Sequence, residues 1–281
     1  MAKYRGLRER VAQWSESGFQ LRNASRAPVA ALKAVHSADY VDAVLDGSLD
    51  AARMRRIGFP WSPYLAERAR RTVGGTLAAV DAALDDGVGV NLAGGTHHAH
   101  HDRGGGYCVF NDLAVAARQL LDQGRARRVA VIDLDVHHGD GTAAIFADDP
   151  TVWTLSVHGE RIYPAVKPSS DLDVALPAGI GDETYLAALQ PALARTFDQF
   201  CPDFVLYQAG ADPYEGDQLG QFQLSSMGLA RRDRLVFDYC SRSGVPVAVT
   251  MGGGYARNID EIVDIHSNTI RLTRLLLPSL R

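Results

Sequence analysis

The 281-residue sequence predicts a three-layer α/β/α domain around a central, mainly parallel sheet. Three observations carry that prediction. Short Val-rich runs without polar alternation, at residues 88–92, 129–134, 152–157, 204–208 and 245–251, read as strands buried on both faces. Helical patterns lie between them, over 63–85, 112–123, 183–200 and 227–243, and such alternation implies parallel strands joined by right-handed crossovers. Each strand also runs out into polar or glycine-rich sequence, and open parallel sheets build their sites beyond the carboxyl ends of the strands.

Taken in order, the chain opens with a helix over residues 3–14. Residues 46–61, with their GSLD and GFPWSP pieces, read as a long loop. Ser62-Pro63 is a helix start, a capping hydroxyl followed by proline at the first helical position. A closing helix spans 259–277. No linker, repeat or low-complexity stretch interrupts the chain, so residues 1–281 are expected to form a single domain.

Composition excludes several classes. Hydrophobic content of 46% and charged content of 22% are those of a soluble globular protein. A formal net charge of −4 gives no basic face for nucleic acid. The arginines of the first third are interleaved with acids and read as solvated helical surface. Cys108, Cys201 and Cys240 are odd in number and widely spaced, which argues against a disulfide framework and for a reducing, cytoplasmic setting. The segment MAKYRGLRER has no apolar core and is no secretory signal, and no run is long enough to cross a bilayer.

The chemistry concentrates in VAVIDLDVHHGDG, residues 129–141. Ionisable groups crowded at one strand end are costly to desolvate unless a cation or a relay shares their charge. Asp135 and His137 are two apart and point the same way from an extended segment. With Asp212, beyond the strand at 204–208, they make an Asp/His/Asp set with open positions, the pattern of a catalytic zinc. Mixed oxygen and nitrogen donors also suit Fe²⁺, Co²⁺ or Mn²⁺. The plainer alternative is that both aspartates cap helices and His137 is a satisfied core histidine. His97 and His98 follow Gly94-Gly95-Thr96 and need carboxylates behind them; Asp133 and Asp140 are otherwise unemployed. His–Asp pairs beside a metal would serve as general base and then general acid in hydrolysis. His100 and His101 read as solvent-exposed members of a histidine-rich loop, and His138 as structural. Tyr255, after three glycines, can donate a hydrogen bond to a developing oxyanion.

These motifs, with Arg103 to Asp112 (RGGGYCVFND), Ala209 to Asp217 and Gly252 to Tyr255, resemble the zinc-dependent histone deacetylase family of the arginase/deacetylase fold. The resemblance covers roughly residues 30 to 275, and the Asp-Arg-Gly-Gly-Gly segment is most similar to bacterial and class IV members. It implies one Zn²⁺ bound by Asp135, His137 and Asp212, with His97 paired to Asp133 and His98 to Asp140. It makes His98 the principal base and acid and Tyr255 the residue that polarises the amide carbonyl. The Gly106 carbonyl would accept the substrate amide N–H, and Tyr107 and Tyr163 would form opposite walls of a narrow acyl-lysine channel. Oxygens around Asp133, Asp135, His137, Ser156 and Val157 correspond to a monovalent-cation site, usually potassium.

The implied activity is removal of acetyl or longer acyl groups from the ε-amine of lysine or a related alkylamine, by attack of water held at the metal. The substrate partner is accordingly an acylated protein, peptide or small amine. Relatives usually start with one more strand, ending in a His-Arg-Phe-Pro-like segment, so the sheet is expected to lack its first N-terminal strand. The rim region 41–61 carries no clear counterpart of substrate-orienting acids beyond Asp39 and Asp42 nearby. Alternatives are a long-chain fatty-acyl-lysine or acetylpolyamine deacylase, a ureohydrolase-like dimanganese enzyme, and a catalytically dead acyl-lysine binder.

Overall fold

A computed structural model describes residues 2–14 and 18–276. Among the described residues, six strands form one sheet: β1 (Val88–Asn91), β2 (Val129–Asp133), β3 (Val152–Gly159), β4 (Leu172–Leu176), β5 (Phe204–Gln208) and β6 (Val247–Thr250). Their order is β1-β6-β5-β2-β3-β4 and every pairing is parallel. From β2 the chain moves outward through β3 to β4, then returns to the opposite side of β2 for β5 and β6. The direction therefore switches between β2 and β5, where parallel sheets open a crevice.

Period-two alternation divides the strand side chains between two cores. Val129 and Val131 join Phe204, Leu206 and Ala248 beneath α2 (Val29–Lys33), α3 (Ala38–Asp46), α4 (Ala51–Ile57), α5 (Pro63–Asp86) and α6 (Asp112–Asp122). Ala130 and Ile132 join Val205, Tyr207, Val247 and Val249 against α1 (Ala2–Ala12), α8 (Asp182–Arg195), α9 (Ser226–Ser243) and α10 (Ile259–Leu272). The short α7 (Asp140–Phe146) follows β2. Both faces being covered is why the strands read as unbroken apolar runs.

The start of α5 is as its sequence predicts. Ser62 Oγ accepts from the Leu65 amide at 3.1 Å and Pro63 occupies the first turn. Two elements depart from expectation. Residues 46–61 are not one loop: Asp50 Oδ1 accepts from the Ala52 and Arg53 amides at 2.9 Å and opens α4, which Gly58 closes at φ +87°. With seven residues and three arginines, α4 is too short for periodicity to reveal, although Met54 and Ile57 are buried. The strand β4 also escapes a search for apolar runs, because it is an edge strand whose residues alternate in exposure. At the C-terminus α10 ends at Leu272 and a tighter turn covers Thr273–Leu275; Leu277, in the expected helix, lies outside the described residues. No helix among the described residues is long and apolar enough to cross a membrane.

A buried ionic knot ties α9 and α10 to the ends of β2 and β5. Arg232 is fully buried; its Nη1 donates to the Gly210 carbonyl at 2.6 Å and the Leu134 carbonyl at 3.3 Å. Its Nε donates to Asp233 Oδ1 at 2.9 Å, and Asp233 also accepts from the Tyr207 hydroxyl at 2.5 Å and Thr269 Oγ1 at 2.6 Å. Removing one member of such a knot strands the other charge without compensation. Asp233→Ala is expected to cost about 3–5 kcal/mol of stability, read as a lower urea midpoint. Glu183→Gln, which breaks the exposed pair with Arg231, should leave the midpoint in place.

Candidate active site

The crevice between β2 and β5 receives two buried carboxylates and a buried imidazole. Asp135 and His137 lie just beyond β2 and Asp212 just beyond β5. His137 Nδ1 stands 3.1 Å from Asp135 Oδ1 and 3.2 Å from Asp212 Oδ2, and one donor atom from each residue falls within 4.8 Å of the others. Backbone amides hold the carboxylates in place. The Val136 amide donates to Asp212 Oδ1 at 2.9 Å, and the Gly253 amide donates to Asp135 Oδ2 at 2.8 Å. Gly253 approaches so closely that a Cβ there would lie 1.8 Å from Asp212 Oδ2 and 2.8 Å from Asp135 Oδ2. Only a residue without a side chain can complete this wall.

The charges of the set are strained without a cation. Burial and the neighbouring Asp135 charge push Asp212 up to about 7. Burial works against protonation of His137, but Asp135 and Asp212 outweigh it and raise the imidazole to about 10. The missing counter-charge thus falls on Asp212, while Asp135, against its burial, is held well below the usual carboxylate range by His97 and His137. A divalent ion on the same three donors would supply that counter-charge, and the donor chemistry fits Zn²⁺ or another borderline cation.

Both histidine pairs are formed. His97 Nδ1 donates to Asp133 Oδ2 and His98 Nδ1 to Asp140 Oδ1, each at 2.6 Å, with the two rings 4.0 Å apart. Burial opposes protonation of His97, yet Asp133 and Asp135 raise it to about 9. His98 is lowered to about 3 by burial and by the His97 charge, against the pull of Asp140. The two neighbours are therefore pushed in opposite directions, His97 toward holding a proton and His98 toward staying neutral.

The loop that carries them is fixed by residues to which the sequence reading gave no role. Asp112 accepts from the Gly95 amide at 3.1 Å, the Thr96 amide at 2.7 Å and Thr76 Oγ1 at 2.5 Å. Asn111 caps α6 through the Ala114 amide and donates to the Ala99 carbonyl at 3.1 Å. Their signal was the Asn-Asp pair opening a helix, a capping pattern whose second use no local rule reveals.

Tyr255 follows the glycine turn, and its amide donates to Asp217 Oδ2 at 2.5 Å. Burial and the charges of Asp135 and Asp212 push its phenol well above the usual range, so it stays an O–H donor. Lys3 Nζ, reaching in from α1, donates to the Gly252 carbonyl at 2.9 Å and steadies the turn. Gly106 lies at φ +51°, and a Cβ there would meet His98 Cδ2 at 2.4 Å. The half-exposed Tyr163 stands edge-on to His98 with ring centroids 4.8 Å apart, and the half-exposed Tyr107 lies 6.4 Å from the Tyr255 ring. The two tyrosines thus stand at the mouth above different members of the site.

Ser156 pairs in register with Asp133 across β2 and β3, which sets Ser156 and Val157 of β3 beside the end of β2, where Asp135 and His137 follow. His138 turns away from the crevice, with Nε2 3.1 Å from Asp173 Oδ1 and its ring against His158. His101 is exposed, its Nδ1 2.6 Å from the Val35 carbonyl. His100 is not the exposed loop residue its setting suggested: it is largely buried, and Nε2 lies 2.9 Å from Asp140 Oδ2. Asp42 is paired with Lys33 at 2.7 Å on α3, and Asp39 lies exposed in the first turn of that helix.

The histone deacetylase domain family matches residues 3–270. An uncharacterized protein of Picosynechococcus sp. is 47% identical over 243 residues, covering 86% of this chain and 81% of its own. Histone deacetylase 2 of Arabidopsis thaliana is 32% identical over 244 residues, 83% of this chain but 62% of that protein. Among solved structures, an HDAC homologue complexed with SAHA superposes with a TM-score of 0.80 at 28% identity, over 89% of this chain and 72% of the other. Fold and sequence agree: the chain belongs to the histone deacetylase family, hydrolases that act on amides.

Proposed function

We propose that this protein is a zinc-dependent deacylase that hydrolyses the amide of an acyl-lysine or a related acylated alkylamine. The observation that supports it most is the convergence, at one strand edge, of Asp135, His137 and Asp212 with two His–Asp pairs and one protonated phenol. Zn²⁺, when bound by those three residues, supplies a Lewis acid that polarises a carbonyl and makes water a stronger acid. His98, with Nδ1–H committed to Asp140, keeps Nε2 as a lone pair toward the crevice, ready to take a proton from the attacking water. The same nitrogen then delivers that proton to the leaving amine. His97, backed by Asp133 and raised against its burial by Asp133 and Asp135, is the imidazole of the pair that favours the protonated form. Tyr255 donates its phenolic proton in a hydrogen bond to the developing oxyanion.

The Gly106 carbonyl would accept the substrate amide N–H, with Tyr107 and Tyr163 closing on the alkyl chain. Their slot favours a thin acyl-alkylamine, because even a Cβ at Gly106 would collide with His98. Oxygens of Asp133, Asp135, His137, Ser156 and Val157 would hold a monovalent cation, potassium by preference. We place the enzyme in the cytoplasm and treat residues 1–281 as one catalytic domain.

Purified protein should release acyl groups from a panel of acyl-lysine peptides of graded chain length and from acetylated polyamines. Chelator should abolish the release and Zn²⁺ restore it; no chelator-sensitive release from any member would overturn the reading. The profile of kcat/KM against acyl length names the substrate class. His98→Ala should lower kcat by about 10²–10⁴-fold and Tyr255→Phe by about 10²–10³-fold, with bound zinc retained in both. Gly253→Ala, whose methyl collides with both carboxylates, should instead lose the metal, measured by elemental analysis of the purified protein.

A further inference from the structure

Behind the His98–Asp140 pair stands a second donor that the deacylase chemistry does not require. Asp140 Oδ1 accepts from His98 Nδ1 at 2.6 Å, and its other oxygen faces His100 Nε2 at 2.9 Å. Arg103 Nη2 approaches the far nitrogen, His100 Nδ1, at 3.3 Å, and Arg103 is itself paired with Asp102 at 2.9 Å. An arginine can only donate, so His100 Nδ1 must present its lone pair and the ring proton sits on Nε2. His100 is thereby set as a donor to Asp140.

The backbone around His100 is fixed as tightly as its ring. The His100 amide donates to the Arg103 carbonyl at 2.8 Å, and the His100 carbonyl lies 2.8 Å from His36 Nδ1. The His100 side chain is 12% exposed against 40% for Arg103. The line Arg103–His100–Asp140–His98 therefore runs from the surface to the crevice. Burial resists ionisation of Asp140, and hydrogen bonds from His100 and then His98 overcome it, holding the carboxyl well below the usual range.

We infer that His100, aligned by Arg103, is a positioning residue that fixes the Asp140 carboxylate and through it the orientation and tautomer of the His98 ring. A carboxylate with one donor can swing about its Cβ–Cγ bond; with a donor on each oxygen it cannot. His98 Nδ1–H then always meets an acceptor and Nε2 is always free. This rests on the deacylase reading for its kinetic consequence but not for its structural one.

The test uses His100→Ala and His100→Gln in the full-length zinc-loaded protein; the glutamine amide can replace the Nε2 donor without an imidazole. With the acyl-lysine peptide that the wild type cleaves best, His100→Ala should lower kcat about tenfold, the scale of one lost hydrogen bond to a charged group. KM should stay within about twofold, zinc content should be unchanged, and His100→Gln should recover most of the loss. Proton–nitrogen correlation spectra of the histidine rings supply a readout that needs no turnover. The His98 Nδ1–H resonance should shift or broaden in the alanine variant and return in the glutamine variant. Unchanged kcat and an unchanged His98 resonance in His100→Ala, or a glutamine variant no better than alanine, would overturn the inference. If the wild type cleaves no acyl substrate while the resonance responds as expected, the deacylase reading fails and the positioning role stands.

Discussion

Two aspartates are forced to face each other in a buried crevice, and the surrounding structure is arranged to make that tolerable. Asp135 and Asp212 come from strands on either side of the point where the sheet reverses direction. Like charges at that separation, out of water, are strongly unfavourable. His137 stands between them, and the amides of Val136 and Gly253 each neutralise part of one carboxylate. The remaining negative potential would suit a cation, and with burial it holds the Tyr255 phenol well above its usual range. One electrostatic constraint thus organises Asp135, His137 and Asp212, the glycine turn and the Tyr255 phenol.

A second consequence falls on the histidines. The same negative field that pulls a proton onto His97 would also charge His98, were it not for the His97 charge beside it and the burial of both rings. Each has its own carboxylate at 2.6 Å, yet these residues adjacent in sequence end with opposite tendencies, because burial and the His97 charge together lower His98. Rigid support is needed to keep such a balance. Asp112 supplies it from the side of the glycine loop, Lys3 from beneath the Tyr255 turn and Arg232 from under the ends of β2 and β5. These three sit outside the crevice chemistry, and each acts by pinning backbone.

Much of this was legible beforehand. Five of the six strands announce themselves as Val-rich runs because both of their faces are covered. The site residues announce themselves because Asp and His have no ordinary reason to follow a buried strand. Asp135 and His137 are two apart on one extended segment, so their common direction follows from backbone geometry alone. What local rules miss is short or half-exposed: α4, defined by its caps and seven residues long, and β4, whose alternation marks an edge rather than a core strand. His100 was misjudged for a related reason, since nothing near it in sequence says that Asp140 lies within reach.

The sequence by itself determined the layers, the strand edge where chemistry collects and the residue types available there, because hydrophobic period and donor chemistry are local properties. Tertiary structure alone decided the supporting contacts: that Arg232 clamps two strand ends, that Asp112 pins the glycine loop and that Asp140 serves two imidazoles at once. Those depend on strand order and on contacts between residues up to 98 positions apart, as between Arg232 and Leu134. A charge can be recognised in a sequence, but its partner is set by distance in space.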